Sequence, residues 1–138
     1  MSTIRPLERS DLTQVANLLV HTFQGRQGDA SSEMADYLGQ LLLDLPDNDP
    51  DIHSLVHEQE KGHITGFIGV FTQKMSIGGK VLRAAIGNSL AVEPGIADPM
   101  AGARLCRSFF QGPQDITISD RSNATSVGLW RAMGGDIL

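Results

Sequence analysis

The sequence is poor in cysteine, in aromatic residues and in positive charge. A single cysteine, Cys106, excludes a disulfide within the chain and points to a reducing compartment, the cytoplasm. Aromatic residues make up 5%, with one tryptophan and one tyrosine, too few for a base-stacking surface. Eleven Lys and Arg stand against sixteen Asp and Glu, a net charge of −5. A binder of phosphate backbones carries the opposite balance, so nucleic acid is not expected as a partner. No apolar run reaches the roughly 18–20 residues that span a bilayer, so no membrane partner is expected. Residues 1–9 hold no apolar core of a secretory signal.

What is present is the composition of a globular domain, 41% hydrophobic and 20% charged over 138 residues. That length is one domain, large enough to bury a core without staples. There is no repeat and no low-complexity segment.

The periodicity changes along the chain. Thr3 to Pro6 reads as a short edge strand, because Pro6 lacks the N–H a central strand needs. Ser10-Asp11 opens a helix whose apolar stripe is Leu12, Val15, Ala16, Leu19 and Phe23. A second helix fits Ser32 to Asp44, with Met34, Tyr37, Leu38, Leu41 and Leu42 facing inward. The stretch from Pro46 to Pro50 breaks regular structure. Ile52 to Glu58 and Ile64 to Lys74 then read as strands. The second is apolar on both faces, with Ile68 and Val70 on one and Phe67 and Phe71 on the other, as in a strand covered on both sides. Ser76 to Lys80 is a hairpin turn leading to a strand over Val81 to Val92. Gly87 and Asn88 inside it point to a bulge or a close backbone approach.

Asp98 and Pro99 suit the start of a third helix, whose inward face is Ala101, Leu105, Cys106 and Phe109. A short strand follows at Ile116 to Ser119. Asp120 or Ser122 can cap a last helix over Asn123 to Met133, with Gly134 as its stop. Residues 136–138 would begin another strand. The fold class expected is α/β: a mixed, mostly antiparallel twisted sheet with helices on both faces.

The stretch from Asn88 to Leu105 carries the clearest chemistry. A strand ends, small residues make a turn, and a helix begins. Free N–H groups and the helix dipole there suit a phosphate or pyrophosphate. A plain strand-turn-helix connection is the competing reading.

This arrangement resembles the GNAT superfamily of acyl-CoA-dependent N-acetyltransferases. Val92-Glu93-Pro94 matches the strand end of that family. In its loop pattern Arg/Gln-x-x-Gly-x-Gly/Ala, Ala97 and Met100 depart while Gly102 fits. Asn123, Ser126, Leu129 and Gly134 fit the family's Asn-x-x-Ala-x-x-Leu-Tyr-x-x-x-Gly-Phe helix; Trp130 replaces the tyrosine and Gly135 the phenylalanine. Ile4-Arg5-Pro6 and Asp11-Leu12 also resemble its opening, and the element order agrees over nearly the whole chain.

The resemblance implies acetyl-CoA, or another acyl-CoA, as co-substrate, no metal, and a small-molecule or protein amine as acceptor. The implied cofactor residues are Leu90, Ala91 and Val92 for the pantetheine arm, Ala97, Met100, Ala101, Gly102 and Ala103 for the pyrophosphate, and Asn123 for the arm. Candidates to take a proton from the amine or orient it are Asn88, His57 and Glu93, with His21, His53, His63 and Glu58 behind them. Trp130 cannot donate the proton that the tyrosine would. Tyr37 and Cys106 read as core residues. The four histidines show no metal spacing.

The family fold continues with two further antiparallel strands after the point where this chain stops. The expectation is one GNAT-like domain over 1–138, incomplete at its C-terminal end. A second copy or a further C-terminal segment would then cover the sheet edge. The alternative to an enzyme is a degenerate CoA-binding, regulatory or structural domain of a longer or dimeric protein.

Overall fold

A computed structural model of the chain describes residues 2–25, 28–96, 98–119 and 124–136. Five strands form one sheet in sequence order: β1 (Thr3–Pro6), β2 (Leu55–Glu60), β3 (His63–Ile77), β4 (Lys80–Val92) and β5 (Ile116–Ser119). The first four pair antiparallel, and β5 joins β4 in parallel. Helices α1 (Leu12–Phe23) and α2 (Ser32–Leu42) cover one face; α3 (Ala101–Phe110) and α4 (Ala124–Ala132) lie on the other. Among the described residues β5 pairs only with β4.

β3 is the axis of both cores. Its Phe67 and Phe71 pack with Val15, Leu19, Leu38 and Leu42 of α1 and α2. Its Ile68 and Val70 pack with Leu105 and Phe109 of α3. The strand alternates between two apolar layers, as its sequence reads.

Each element start has a local cause. A short 3₁₀ turn at Arg9–Asp11 precedes α1. Asp11 does not cap α1: its carboxylate takes the Glu8 N–H at 2.8 Å and a two-pronged bond from Arg5 at 2.8 and 2.9 Å, and it is buried. Ser31 caps α2 by accepting the Met34 N–H at 3.2 Å. Gly78 and Gly79, both with positive φ, make the two-residue turn that sends β3 into β4. Gly134, at φ 92°, ends α4, and the Gly135 N–H reaches back to the Trp130 carbonyl at 2.8 Å.

The structure departs from the sequence reading in several places. β2 begins at Leu55 rather than Ile52, because Ile52 N–H bonds back to the Asp49 carbonyl and belongs to the preceding turn. α3 begins at Ala101, since Asp98 and Pro99 form a turn leading into it. Tyr37 and Phe23 are not core residues: at 59% and 57% exposure they stand at the rim of the α1/α2 face. The caps expected at Asp120 or Ser122 and the strand expected after Asp136 fall on residues 120–123 and 137–138, outside the described residues.

The sheet is irregular at one place that matters for the rest. Between the pairs Phe67↔Ala91 and Gly69↔Asn88, β4 holds one more residue than β3. Ser89 there adopts φ 61°, the one positive φ among described non-glycine residues. This is a β-bulge, one residue beyond the Gly87-Asn88 pair that hinted at it. Opposite it, a Cβ on Gly69 would stand 2.8 Å from the Asn88 carbonyl oxygen. That oxygen is backbone and cannot swing aside. Gly69→Ala is therefore expected to lower stability by about 1–3 kcal/mol in urea unfolding, as overpacking does; an unchanged midpoint would mean the bulge yields freely.

Candidate functional site

The bulge decides which way the residues of β4 point. Gly87 faces α3, where a Cβ would meet the Phe109 ring at 2.8 Å. Leu90 and Val92 pack on the α3 core, while Ala91 packs on the α1 core. Strict alternation from Leu90 would send Asn88 to the α3 side. The extra residue lets Asn88 and Ser89 both line a groove on the α1/α2 side, with Gly69 beneath them.

The bulge also lies where β4 loses a partner. β5 pairs with β4 only from Ala84↔Ile116 to Gly87↔Ser119. Beyond Gly87, β4 has no strand on that side among the described residues. Glu93 N–H donates to the Thr65 carbonyl at 2.8 Å, so by alternation Val92 and Leu90 turn their backbone groups away from β3. They face the gap that opens between β4 and the end of β5.

The gap leads to the start of α3. Asp98 organises that turn. Its Oδ1 accepts the Met100 N–H at 2.9 Å, and its backbone carbonyl accepts the Ala101 N–H at 3.3 Å. Its Oδ2 accepts from Ser2 Oγ at 3.1 Å, from His57 Nε2 at 3.2 Å, and from Arg104 in a tight ion pair. The Gly102 and Ala103 amides, next along the helix, have no acceptor among the described residues. They form the free donor end of α3. A Cβ on Gly102 would touch only Val92 Cγ2, at 3.7 Å.

Two depressions flank α1 on the opposite face. One, of about 350 Å³, is the groove floored by the bulge and walled by Leu19, Phe23, Tyr37 and Leu41. The other, of about 580 Å³, is polar and gathers His21, His63 and Glu93 beside Val92. His63 Nε2 lies 3.7 Å from Glu93 Oε2, and His21 Nε2 meets the Gly28 carbonyl at 2.7 Å.

The residues singled out from sequence therefore separate. Leu90, Ala91, Val92, Ala101, Gly102 and Ala103 lie along one path, from the bulge to α3. Met100 precedes it with its side chain in solvent, at 59% exposure. Asn88 and Glu93 stand at the two ends of the unpaired stretch of β4. Ala97 and Asn123 are outside the described residues.

His57 belongs elsewhere. It is fully buried on the α3 side, with Nδ1 against the Thr65 hydroxyl at 2.7 Å and Nε2 on Asp98. A ring with no exposed atom and both nitrogens engaged has no route to an acceptor amine; it supports the Asp98 turn. Glu58 pairs with Arg5 at 3.1 Å, across the sheet from the gap. Cys106 is buried, and burial pushes its thiol pKa up, away from nucleophilic thiolate. Trp130 stacks edge-on with Phe109 and Phe110, at 6.1 and 4.7 Å between ring centres. The described residues hold no cluster fit for a metal ion. None of their helices is long and apolar enough to cross a membrane.

Sequence reasoning missed the Asp98 hub. Asp98 is visible in the sequence only as a cap, because its partners Ser2 and His57 are 96 and 41 residues away; Arg104 alone is near, six residues on. Tyr37 was also missed as a groove residue; helical spacing put it on the apolar stripe, but not at that stripe's edge.

No family model matches the sequence, and no curated protein is similar to it in sequence. Solved structures are similar in fold. Glucosamine-6-phosphate N-acetyltransferase from Arabidopsis thaliana superposes with a TM-score of 0.71 at 19% identity, over 100% of this chain and 93% of that one. The aminoglycoside N-acetyltransferase AAC(6')-Iy, solved with the bisubstrate analogue CoA-S-monomethyl-acetylneamine, gives 0.73 at 15% identity, over 99% and 92%. A transcriptional regulator from Bacillus halodurans gives 0.72 at 14%, over 99% and 93%. The chain has the GNAT acetyltransferase fold.

The Asp98 hub yields a test. The guanidinium of Arg104, first among its causes, holds the Asp98 pKa at about 2, below the ordinary 3.8. A carboxylate depressed in the folded state stabilises the fold at pH above 3.8, and that contribution disappears as pH falls toward 2. Asp98→Asn should be less stable than the parent at neutral pH and show a shallower loss of stability between those values. Urea midpoints across pH read this; parallel curves would mean the pair contributes nothing.

Proposed function

We propose that the chain is an acetyl-CoA-dependent N-acetyltransferase acting on an amine. The observation that carries this is the unpaired stretch of β4 beyond Gly87, running directly into the open amides of α3. An extended chain bearing amide groups can pair with Val92 and Leu90 as a strand would. A pyrophosphate at its far end would meet the Gly102 and Ala103 N–H groups and the positive end of the helix dipole. Arg104 offsets the charge of Asp98 beside that end, so the turn does not itself repel an anion.

Recognition of this kind rests on backbone. It explains how Ala97 and Met100 can stand in the loop without removing the main donors. Losing an Arg or Gln at Ala97 removes a side-chain contact; the α3 amides remain.

The reaction needs a neutral amine and a polarised carbonyl. The amine nitrogen attacks the thioester carbonyl carbon, the C–S bond breaks, and the thiolate leaves to be protonated. Asn88, beside the bulge, is placed to orient the amine. Glu93, paired with His63 at the other end of the open stretch, is the side chain suited to accept its proton through water. No tyrosine stands at Trp130 to protonate the thiolate, so water does so.

One observation favours a second reading, a domain that binds CoA without turnover. Trp130 packs into the Phe109–Phe110 cluster and presents no acid. Titration calorimetry followed by a thiol-release assay separates the two. The enzyme reading expects micromolar binding of acetyl-CoA and thiol release with an amine; binding alone supports the second. Gly102→Phe should weaken acetyl-CoA about tenfold or more by covering the donor amides, while Gly102→Ala, which meets only Val92 at 3.7 Å, should bind within a fewfold of the parent. No binding by the parent at near-millimolar acetyl-CoA would overturn both readings.

A further inference from the structure

Resting on the acetyltransferase reading, we propose that the acceptor is a primary amine carried on an apolar body, bound in the groove between α1, α2 and the bulge of β4. The walls of this groove come from Leu19, Phe23, Met34, Tyr37, Leu41 and Phe71, and none of its lining residues is charged. Phe23 and Tyr37 stand at its rim with more than half their surface in water. Large apolar side chains held in that way lose unfavourable hydration when an apolar ligand covers them. The volume, about 350 Å³, suits a small molecule rather than a protein segment.

The bulge supplies one polar end; Gln24 and the Tyr37 hydroxyl are the other polar side-chain groups in the lining. Asn88 and Ser89 are turned into the groove together, with Ser89 Oγ donating to Asn88 Oδ1 at 3.1 Å. An amine entering with its apolar body along α2 meets Asn88 and Ser89 beside the open stretch of β4.

Charge decides between acceptor classes. A polyamine, an aminoglycoside or a sugar phosphate would bring several charges into a groove without a counter-charge, and each would lose hydration uncompensated. Of the carboxylates on the neighbouring elements, Asp11 and Glu58 pair with Arg5, Asp44 with Arg9 and Asp49 with Arg83, while Glu33 and Asp36 of α2 lie outside the groove lining. A single amine on an apolar body brings one charge, and the groove acts on it usefully. Burial among uncharged walls disfavours the ammonium form and lowers the amine pKa, supplying the neutral nucleophile. The step is then balanced: amine plus acetyl-CoA gives the acetamide and CoA thiol, with the amine proton passing to water and a proton returning to the thiolate.

The test uses the full chain with acetyl-CoA and four probes: 2-phenylethylamine, hexylamine, spermidine and glucosamine 6-phosphate. Thiol release should give the first two a kcat/KM about tenfold or more above the others. Tyr37→Asp, at an exposed position, should raise KM for 2-phenylethylamine about tenfold while leaving acetyl-CoA affinity unchanged. Equal or better use of spermidine or the sugar phosphate, or an unchanged KM in Tyr37→Asp, overturns the proposal. Amide NMR shifts on adding 2-phenylethylamine alone form a separate arm. Shifts confined to α1, α2 and the bulge support the groove even if acetyl-CoA fails to bind, and their absence overturns it whatever the outcome with acetyl-CoA.

Discussion

The extra residue in β4 opposite Ile68 is the constraint on which the arrangement around the gap depends. An antiparallel pair without it would keep strict alternation. Asn88 would then face α3, beside Leu90, and the α1/α2 groove would have no polar floor. With it, the strand bends at the point where the β5 pairing ends, and the backbone groups of Leu90 and Val92 face no strand among the described residues. The cost is visible in the backbone. Ser89 sits at φ 61°, a conformation that a non-glycine residue holds only when its surroundings over-determine it. Gly69 opposite it leaves the room: a Cβ there would stand 2.8 Å from the Asn88 carbonyl oxygen.

Around that irregularity the two faces of the sheet have different tasks. The α3 face is closed and heavily cross-linked. His57, Asp98, Arg104, Ser2 and Thr65 form one hydrogen-bonded cluster under the first turn of α3, so the donor amides of the helix are held in place by groups from β2, β3 and the N-terminal residues. The α1/α2 face is open, with apolar residues left at the rim. On the function proposed above, a rigid support would fix one ligand and a looser wall would admit the other. The fold alone does not set the chemistry, since structures of one fold serve acetyltransferases and a transcriptional regulator.

Much of this was legible in the sequence, for reasons that can be named. The order of elements followed from changes in period, and the double-sided apolar pattern at Phe67 to Phe71 placed β3 in the middle of the sheet. Gly87-Asn88 marked the irregular part of β4 to within a residue or two. The strand-turn-helix at Val92 to Leu105 marked the path from the gap to α3. What stayed hidden depends on contacts between distant segments. Nothing local distinguishes His57, buried under α3, from a histidine in a cleft, because the strand it sits on places alternate residues on opposite faces and either face could be the open one. Tyr37 and Leu38 occupy adjacent positions in one helical stripe, yet one is at the rim and the other in the core. The rotation of α2 against α1 decides that, and periodicity fixes a stripe only to within a residue on either side.

The altered loop residues bear differently on the two parts of the site. A donor site built from helix amides is indifferent to most side chains, provided they leave the backbone open. Glycine within a helix costs about 1 kcal/mol against alanine. At Gly102 neither a positive φ nor a tight neighbour calls for it, since a Cβ would make ordinary contact with Val92. Met100 leaves the backbone open, because its side chain projects into solvent ahead of the helix. Trp130 is a different kind of change. The tyrosine of the family pattern is replaced by an indole packed against two phenylalanines. On the function proposed above, binding survives the departures in the loop, whereas turnover, without a side chain that no backbone group can imitate, relies on the solvent for its last proton.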